Sequence, residues 1–591
     1  MNSHPSDPSD NATSGRRAAR YLPFLDWPQS WRQHGLSGDI IAGVTVGLVL
    51  VPQALAYAQL AGLPPYIGLY AALLPTVIGA LFGSCGGISS GPVALTALLT
   101  GASLTSLLHP ESPDLVTAAV VLALLSGLIQ LALGALRLGW LLNLLSQPVM
   151  TGFINASALL ITLSQVPALL GLRMPRSEHF LIDFWRMLGQ LVNLHLPTLA
   201  FGLGTLVALL LVRRWLPRLP GVLVAVALAT VASAMVGYAA EGGRVVGAVP
   251  SGLPSLTMPS LNWNLIVSLL PAAFVIALVS FMEVTASATL ISTRTGERWQ
   301  QNQELIGQGL AKLAAAISGA MPVSGSFSRS ALNHATGART GLSSLIAAAC
   351  VLLTLLHFTH LLWHLPTATL AAVIMLVVIN LFDFRALART WRTSRDDGIA
   401  AVMTFVATLV FAPHIQNGIL VGLLISLALL IYRDMRPRVA LLGLHSDGTY
   451  RDRDRFNLPH PHPNLVVMRF DSPLTFVTAK MFEDTALSAC HAQDDVHMLV
   501  ISSAGINAID TTGLHAIETL HTRLAAQKRG LAFCGLKKQV IDALERTGQW
   551  ERLQPHAHYR TEEHALAALL PTLPPSGAIP REEEGQGNQG S

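Results

Sequence analysis

The sequence predicts a polytopic α-helical membrane protein with a soluble α/β portion at its C-terminal end. Three observations carry that expectation. Of the 591 residues, 51% are hydrophobic and only 12% are charged, with a mean hydropathy of +0.50; an ordinary soluble domain carries about 25% charged residues. The deficit is uneven, because residues 1–439 are roughly 9% charged and residues 440–591 roughly 21%, close to the soluble norm. Finally, apolar runs follow one another from Ile40 to Tyr432. At roughly 25–28 residues per crossing and turn, that stretch holds about fourteen helices, or twelve if the short, Gly- and Pro-interrupted runs do not cross.

These figures exclude a conventional cytosolic enzyme and a disordered chain. A net charge of +4, with no aromatic-laced basic patch, speaks against a nucleic-acid partner. The first twenty residues hold no apolar h-region, so no cleavable signal peptide is expected, and the sequon Asn11-Ala12-Thr13 lies in what reads as a disordered tail. Cys85, Cys350, Cys490 and Cys534 stand singly, and the histidines show no metal spacing. Neither disulfides, metal nor cofactor is expected. No nucleophile–base set or phosphate-binding loop is present, so the chain does not read as an enzyme.

Arginines set the orientation. Alternate loops carry Arg16, Arg17, Arg20 and Arg32; Arg213, Arg214 and Arg218; Arg294 and Arg298; Arg385, Arg389, Arg392 and Arg395; and Arg433, Arg436 and Arg438. The intervening loops hold few, chiefly Arg173, Arg176 and Arg244. By the positive-inside rule the N-terminus is cytoplasmic, and an even number of crossings returns the C-terminal portion to the same side.

Two interruptions of the apolar pattern match each other. Ile88-Ser89-Ser90-Gly91-Pro92-Val93-Ala94-Leu95 and Pro322-Val323-Ser324-Gly325-Ser326-Phe327-Ser328-Arg329 each set small residues before a new apolar run, and Ser90-Gly91 aligns with Ser324-Gly325. Paired interruptions point to an internal repeat with half-helices that start inside the membrane. Their unsatisfied N–H groups and positive dipole ends suit an anion. Packing through small residues is the alternative. Roughly forty residues upstream of each break stands a polar residue in an apolar run: Gln53, with Tyr57 one turn later, and Glu283. An ionised carboxylate near the bilayer centre costs on the order of 3 kcal/mol, so Glu283 is a candidate to take up and release a proton. A nearby Arg329 would favour the ionised form, and a static Glu283–Arg329 tie between the halves is the structural alternative. Arg329 opens the second half-helix, where a cation adds to the positive dipole end; that placement makes sense if a negative ligand visits.

The strings GDIIAGVTVGLVLVPQALAYAQLAGLPPYIGLYAALLP (Gly38–Pro75), ISSGPVALT and PVSGSFSRSALNHATGARTGLSS resemble the SulP (sulfate permease) anion transporter family, and the likeness extends from about Pro23 to Leu570. The resemblance implies a 7+7 inverted repeat divided into core and gate domains, with half-helices as the third and tenth segments and an elevator-type alternating-access motion. It places the anion among Gln53, Tyr57, Pro92, Val93, Ala94, Ser326, Phe327, Ser328 and Arg329. It puts cation coupling at Glu283, with Ser287 one turn beyond; a glutamate near an arginine leans toward a proton over sodium. The C-terminal portion resembles a STAS domain. NLVVMRFDSPLTF, HMLVISSAGI and LAFCGL read as strands, and Thr512–Arg529 and KKQVIDALERTG as helices. In Asp510-Thr511-Thr512-Gly513 a threonine, Thr512, stands where related proteins carry a phosphorylated serine, though a capping turn explains the motif equally.

The expected organisation is thus a disordered tail (1–20), a transmembrane anion transporter domain (21–439), a linker (440–463), a cytoplasmic STAS domain (464–572) and a disordered tail (573–591). The expected activity is secondary active uptake of sulfate, bicarbonate or a dicarboxylate with a proton. A homodimer in the lipid bilayer of a bacterial cytoplasmic (inner) membrane is the expected setting. The alternatives are a sodium-coupled symporter, an uncoupled anion exchanger or channel, a nucleobase carrier, and an anion-responsive signalling receptor.

Overall fold

The computed structural model describes residues 22–105, 107, 114–140, 146–172, 180–216, 220–256, 262–296, 299–379, 381–492, 496–554, 556 and 559–573. The expected disordered tails, and the loop arginines Arg16, Arg17, Arg20, Arg173, Arg176, Arg218 and Arg298, lie outside those residues, Leu573 excepted. The chain divides into two units, Met1–Ser426 and Leu427–Ser591.

The first unit is helical. Its elements are α1 (Trp27–His34), α2 (Ser37–Leu60), α3 (Tyr66–Phe82), β1 (Ser90–Gly91), α4 (Ala94–Thr105), α5 (Asp114–Ala135), α6 (Gln147–Leu170), α7 (Phe180–Leu188), α8 (Leu196–Trp215) and α9 (Gly221–Val236). They continue as α10 (Trp263–Thr295), α11 (Gln301–Ile317), β2 (Ser324–Gly325), α12 (Phe327–Ala335), α13 (Leu342–Leu353, running on through a π-turn to Leu362), α14 (Thr367–Ile379), α15 (Phe384–Thr393), α16 (Arg395–Val410) and α17 (Ile415–Asp434), whose last two turns belong to the second unit. Eight helical stretches among the described residues are long and apolar enough to cross a membrane. With the short helices α1, α7 and α15 set aside, fourteen helices remain among the described residues, seven up to Val236 and seven from Trp263.

The two sevens pack as a repeat. Helix α2 lies on α13 as α10 lies on α5, and α4 packs on α10 as α12 packs on α2. Helices α3 and α11 contact each other. A second group forms around α6 and α14, with α8, α9 and α16. In lipid the hydrophobic effect does not drive helices together, so close backbone approach through small residues must do so. A Cβ at Gly68 would fall 1.8 Å from the Ala54 carbonyl oxygen, so only glycine lets α3 reach α2 there. One at Gly309 would fall 2.7 Å from the Leu131 nitrogen, which seats α11 equally tightly on α5. Outward faces stay apolar: Leu203, Val207 and Leu210 of α8 are all at least half exposed.

The second unit is a five-stranded sheet with helices. Strands β3 (Val439–Leu444), β4 (Tyr450–Asp452), β5 (Leu465–Phe470), β6 (Met498–Ser502) and β7 (Gly530–Cys534) run in the order β4-β3-β5-β6-β7. Strands β5, β6 and β7 are parallel, with Val467 opposite Val500 and Val500 opposite Ala532. The helices are α18 (Ala479–His491), α19 (Thr511–Ala526), α20 (Lys538–Arg546) and α21 (Glu562–Leu569). Alternation places Val466, Met468, Leu499, Ile501, Leu531 and Phe533 in one core and Leu465, Val467, Met498, Val500, Ala532 and Cys534 in another.

One expectation is corrected here. Residues 440–463 are not a linker: β3 and β4 form a hairpin, and β3 pairs antiparallel with β5, Ala440 opposite Arg469 and Leu441 opposite Met468. VALLGL is a short apolar run that its pattern alone does not distinguish as strand or helix. Its strand character comes from its cross-strand partners.

Candidate functional site

The two sequence breaks meet. Strands β1 and β2 pair antiparallel, with Ser90 opposite Gly325 and Gly91 opposite Ser324. Exchanging Ser90-Gly91 with Ser324-Gly325 maps this pairing onto itself, as a two-fold-related contact requires. Irregular backbone at this depth must find its hydrogen bonds within the protein, and polar side chains supply them. Ser326 N–H donates to Ser89 O (2.9 Å), Thr76 Oγ1 to Ser90 O (2.9 Å), Ser344 Oγ to Ile88 O (3.2 Å) and Asn333 Nδ2 to Gly87 O (3.1 Å). Ser89 N–H donates to Ser330 Oγ (3.0 Å) and Gln308 Nε2 to Ser90 Oγ (2.9 Å).

Each break then opens a helix. In α4 the first intrahelical acceptor is Val93, whose carbonyl receives Ala97 N–H at 2.9 Å. Valine has no side-chain acceptor, so the N–H groups of Ala94, Leu95 and Thr96 have neither an intrahelical carbonyl nor a side-chain cap from Val93. In α12, Ser326 caps by accepting Arg329 N–H at 3.4 Å and sits 3.4 Å, hydroxyl to hydroxyl, from Ser328. Pro92 and Ala94 are buried and Val93 half-buried, while Phe327 and Ser328 are exposed.

Arg329 is 1% exposed. Its Nε donates to Ser89 Oγ (3.3 Å) and Nη1 to Pro92 O (2.9 Å), so the second half-helix is tied to the first. Among the described residues Nη2 is buried without a partner, as is Oε1 of Gln53. Tyr57, 2% exposed, interacts electrostatically with both Arg329 and Glu283. Glu283 Oε2 accepts from Thr96 Oγ1, in the first turn of α4, at 3.2 Å. Ser287 spends its hydroxyl proton on the Glu283 backbone carbonyl at 2.9 Å. The Glu283–Arg329 tie considered from the sequence does not close: among the described residues the two make no ion pair, and Arg329 takes neutral oxygens instead.

Sequence reasoning missed several members. Lys312 is wholly buried in α11 and donates to Gln130 Oε1 (2.8 Å) and Ser280 Oγ (2.9 Å). Glu304, 1% exposed, accepts at Oε2 from Ser84 N–H (2.7 Å), Ser84 Oγ (3.1 Å) and Cys85 N–H (3.2 Å), and so holds the loop that leads to β1. Asp39 does the same for the chain after α12, accepting from Arg339 N–H (2.8 Å) and Thr340 N–H (3.0 Å). The available signal was the one that marked Glu283, an ion inside an apolar run; Lys312 sits in LAKLAAAI.

In the second unit, Thr512 is exposed in the first turn of α19. Asp510 caps that helix by accepting Gly513 N–H at 2.8 Å, and its other oxygen accepts Phe476 N–H at 2.8 Å.

Comparisons with known proteins follow the same division. Residues 36–404 match the family model of the sulfate permease family, and residues 459–564 match that of the STAS domain. A Mycobacterium tuberculosis protein named as a probable sulfate transporter is 34% identical over 559 residues, covering 94% of this chain and 99% of its own. A sodium-independent sulfate anion transporter of Bos taurus is 30% identical over 564 residues, covering 89% and 88%. Among solved structures, murine Solute Carrier 26 family member A9, an anion transporter in the inward-facing state, superposes with a TM-score of 0.86 at 21% identity, over 97% of this chain and 96% of that one. That likeness speaks for the fold.

Proposed function

The chain belongs to the sulfate permease family, multi-pass membrane transporters of small anions, and from that premise we propose that it takes up its anion together with a proton. The observation that carries the reading is the meeting of two half-helix N-termini around Arg329, whose Nη2 is buried with no partner. Uncapped N–H groups, two dipole ends and a free guanidinium nitrogen form a positive recess that an oxyanion completes. In this reading Gln53, Tyr57, Pro92, Val93, Ala94, Ser326, Phe327 and Ser328 line the recess. Glu283 carries the proton, and its hydrogen bond to Thr96 links the proton's seat to the anion's helix. Ser287, one turn beyond, stays beside Glu283 as the second cation-coupling residue: its hydroxyl proton goes to the Glu283 carbonyl, which leaves the oxygen's lone pairs to face a cation.

Two packing groups, one around α2, α5, α10 and α13 and one around α6 and α14, support a core that moves against a gate. The arginine-rich loops support cytoplasmic termini in an inner membrane, where a homodimer remains the expected assembly. The name of the bovine relative, sodium-independent, favours a proton over sodium.

The deciding measurement is radiolabelled sulfate uptake into proteoliposomes under imposed pH or sodium gradients. An inward proton gradient should drive accumulation, and Glu283→Gln should abolish that drive while leaving anion exchange. Uptake indifferent to both gradients in both proteins would make it an uncoupled exchanger.

A further inference from the structure

We infer that Lys312 is the charge that lets this site hold a doubly charged anion. The inference deepens the reading above and rests on an anion lying between the N-termini of α4 and α12.

Lys312 stands where three helices meet. Its Nζ donates to Gln130 of α5 and Ser280 of α10, and Gln130 Nε2 donates in turn to Ala277 O (2.7 Å) and Ser280 Oγ (2.9 Å). A Cβ at Gly127 would fall 2.9 Å from Lys312 Cβ, so α5 closes over the base of the side chain. Ser280 also connects the cluster to the break itself, since Ser324 Oγ of β2 donates to Ser280 O at 2.9 Å.

These hydrogen-bond partners are all neutral, and among the described residues no carboxylate forms an ion pair with Lys312. Neutral partners satisfy the ammonium's donors but supply no counter-charge, so its ionised form depends on a negative group nearby. The charged and titratable groups on the elements packed against α11 are few. Glu283 lies within a turn of Ser280 on α10 and interacts electrostatically with Lys312. Glu304, on α11 itself, is engaged with the Ser84–Cys85 loop. Asp114 begins α5, roughly 20 Å along the helix from Gly127, Arg294 stands in the last turn of α10, roughly 20 Å along that helix from Ser280, and α3 offers the phenols Tyr66 and Tyr70. Glu283 is therefore the counter-charge, and Arg329 shares it.

Charge counting then discriminates substrates. With Lys312⁺, Arg329⁺ and a protonated Glu283, a doubly charged anion leaves the buried set neutral. With Lys312 replaced by a neutral residue, the same anion leaves an uncompensated negative charge in a low-dielectric interior, and only a singly charged anion balances Arg329. Lys312 is a positioning and specificity residue here, acting through the field at the site.

The test compares sulfate and nitrate binding to the purified full-length protein, with thermal shift as the folding control, alongside sulfate uptake in proteoliposomes. Lys312→Gln should lose about tenfold or more in sulfate affinity while nitrate changes by less than about threefold, and Lys312→Arg should keep the wild-type ratio. The same shift should separate Glu283→Gln from Glu283→Gln/Lys312→Gln, a pair that removes the charge without leaving a lone buried carboxylate. A sulfate-to-nitrate ratio within about threefold of the parent in either folded comparison overturns the inference. Wild-type protein that binds neither anion overturns both this inference and the anion-site reading. Wild-type protein that binds sulfate but ignores a pH gradient overturns only the proton coupling, and the ratio still decides Lys312.

Discussion

Arg329 donates from Nη1 to the Pro92 carbonyl at 2.9 Å, so the cation that opens the second half-helix is fixed at the mouth of the first. The bond crosses the repeat. It also leaves Nη2 without a partner at a point where two helix dipoles converge. The arrangement has positive potential to spare, which a static tie to Glu283 would have consumed.

Arg329→Ala should lower sulfate affinity by about 10- to 100-fold, equivalent to about 1.4–2.8 kcal/mol, by removing the charge and the unpartnered donor. Arg329→Lys should recover only part of it, because an ammonium cannot reach Ser89 and Pro92 in one planar fork and still offer a further nitrogen. Equilibrium binding to the purified protein measures both.

Gly91 holds φ at +149°, a conformation that side chains rarely adopt, and a Cβ there would sit 3.3 Å from Arg329 Nη2 and 3.4 Å from Thr76 Oγ1. Gly91→Ala should therefore cost about 1–3 kcal/mol of stability and displace the guanidinium. The expected outcome is a lower melting temperature together with weaker sulfate binding. Weakened binding with unchanged melting would show that the backbone relaxes and only Arg329 moves.

Glu304 gathers three donors from Ser84 and Cys85 onto one oxygen. Glu304→Ala strands the half-buried amides of Ser84 and Cys85 at about 1 kcal/mol per group, the low end of the range, so the solubilised protein should melt earlier. Glu304→Gln keeps one acceptor oxygen and should lose less. Both should slow sulfate uptake, because the loop leads directly into β1.

In the second unit, burial pushes the Cys490 thiol up to about 11 and the Cys534 thiol up to about 12. A raised pKa means that the reactive thiolate stays scarce until the pH approaches those values. With Cys85 and Cys350 replaced by serine, maleimide labelling of the folded protein should stay slow from about pH 7 to 8 while rising about tenfold per pH unit with the thiolate fraction, then accelerate sharply on unfolding. Fast labelling in the folded state would mean that this sheet opens readily.

Much of the molecule was legible in the chain itself. Apolar runs of crossing length are a local property, so the helical class, a count of about fourteen helices and the charge-normal C-terminal unit could all be read without coordinates, while the seven-plus-seven division came from the family resemblance. The paired breaks at Ser90-Gly91 and Ser324-Gly325 were equally plain, since small residues interrupting an apolar run need no partner to be recognised. Glu283 and Arg329 stood out because an ion in an apolar context carries a solvation cost wherever it packs.

What the tertiary structure decided is which groups meet. Lys312 and Gln130 are 182 positions apart, and Arg329 and Pro92 are 237 apart. No periodicity encodes such pairings; they follow from which helices come close enough to touch, and that depends on glycines such as Gly127 and Gly309. The same holds for β3, whose strand identity comes from Arg469 and Met468 across the ladder. Sequence by itself determined that a few ions are buried in a repeated, broken-helix membrane fold. Only the folded chain decided that Arg329 pairs with a carbonyl instead of Glu283, and that Lys312 shares Glu283's field. The physical reason is that the cost of burying a charge is local, while its compensation is not.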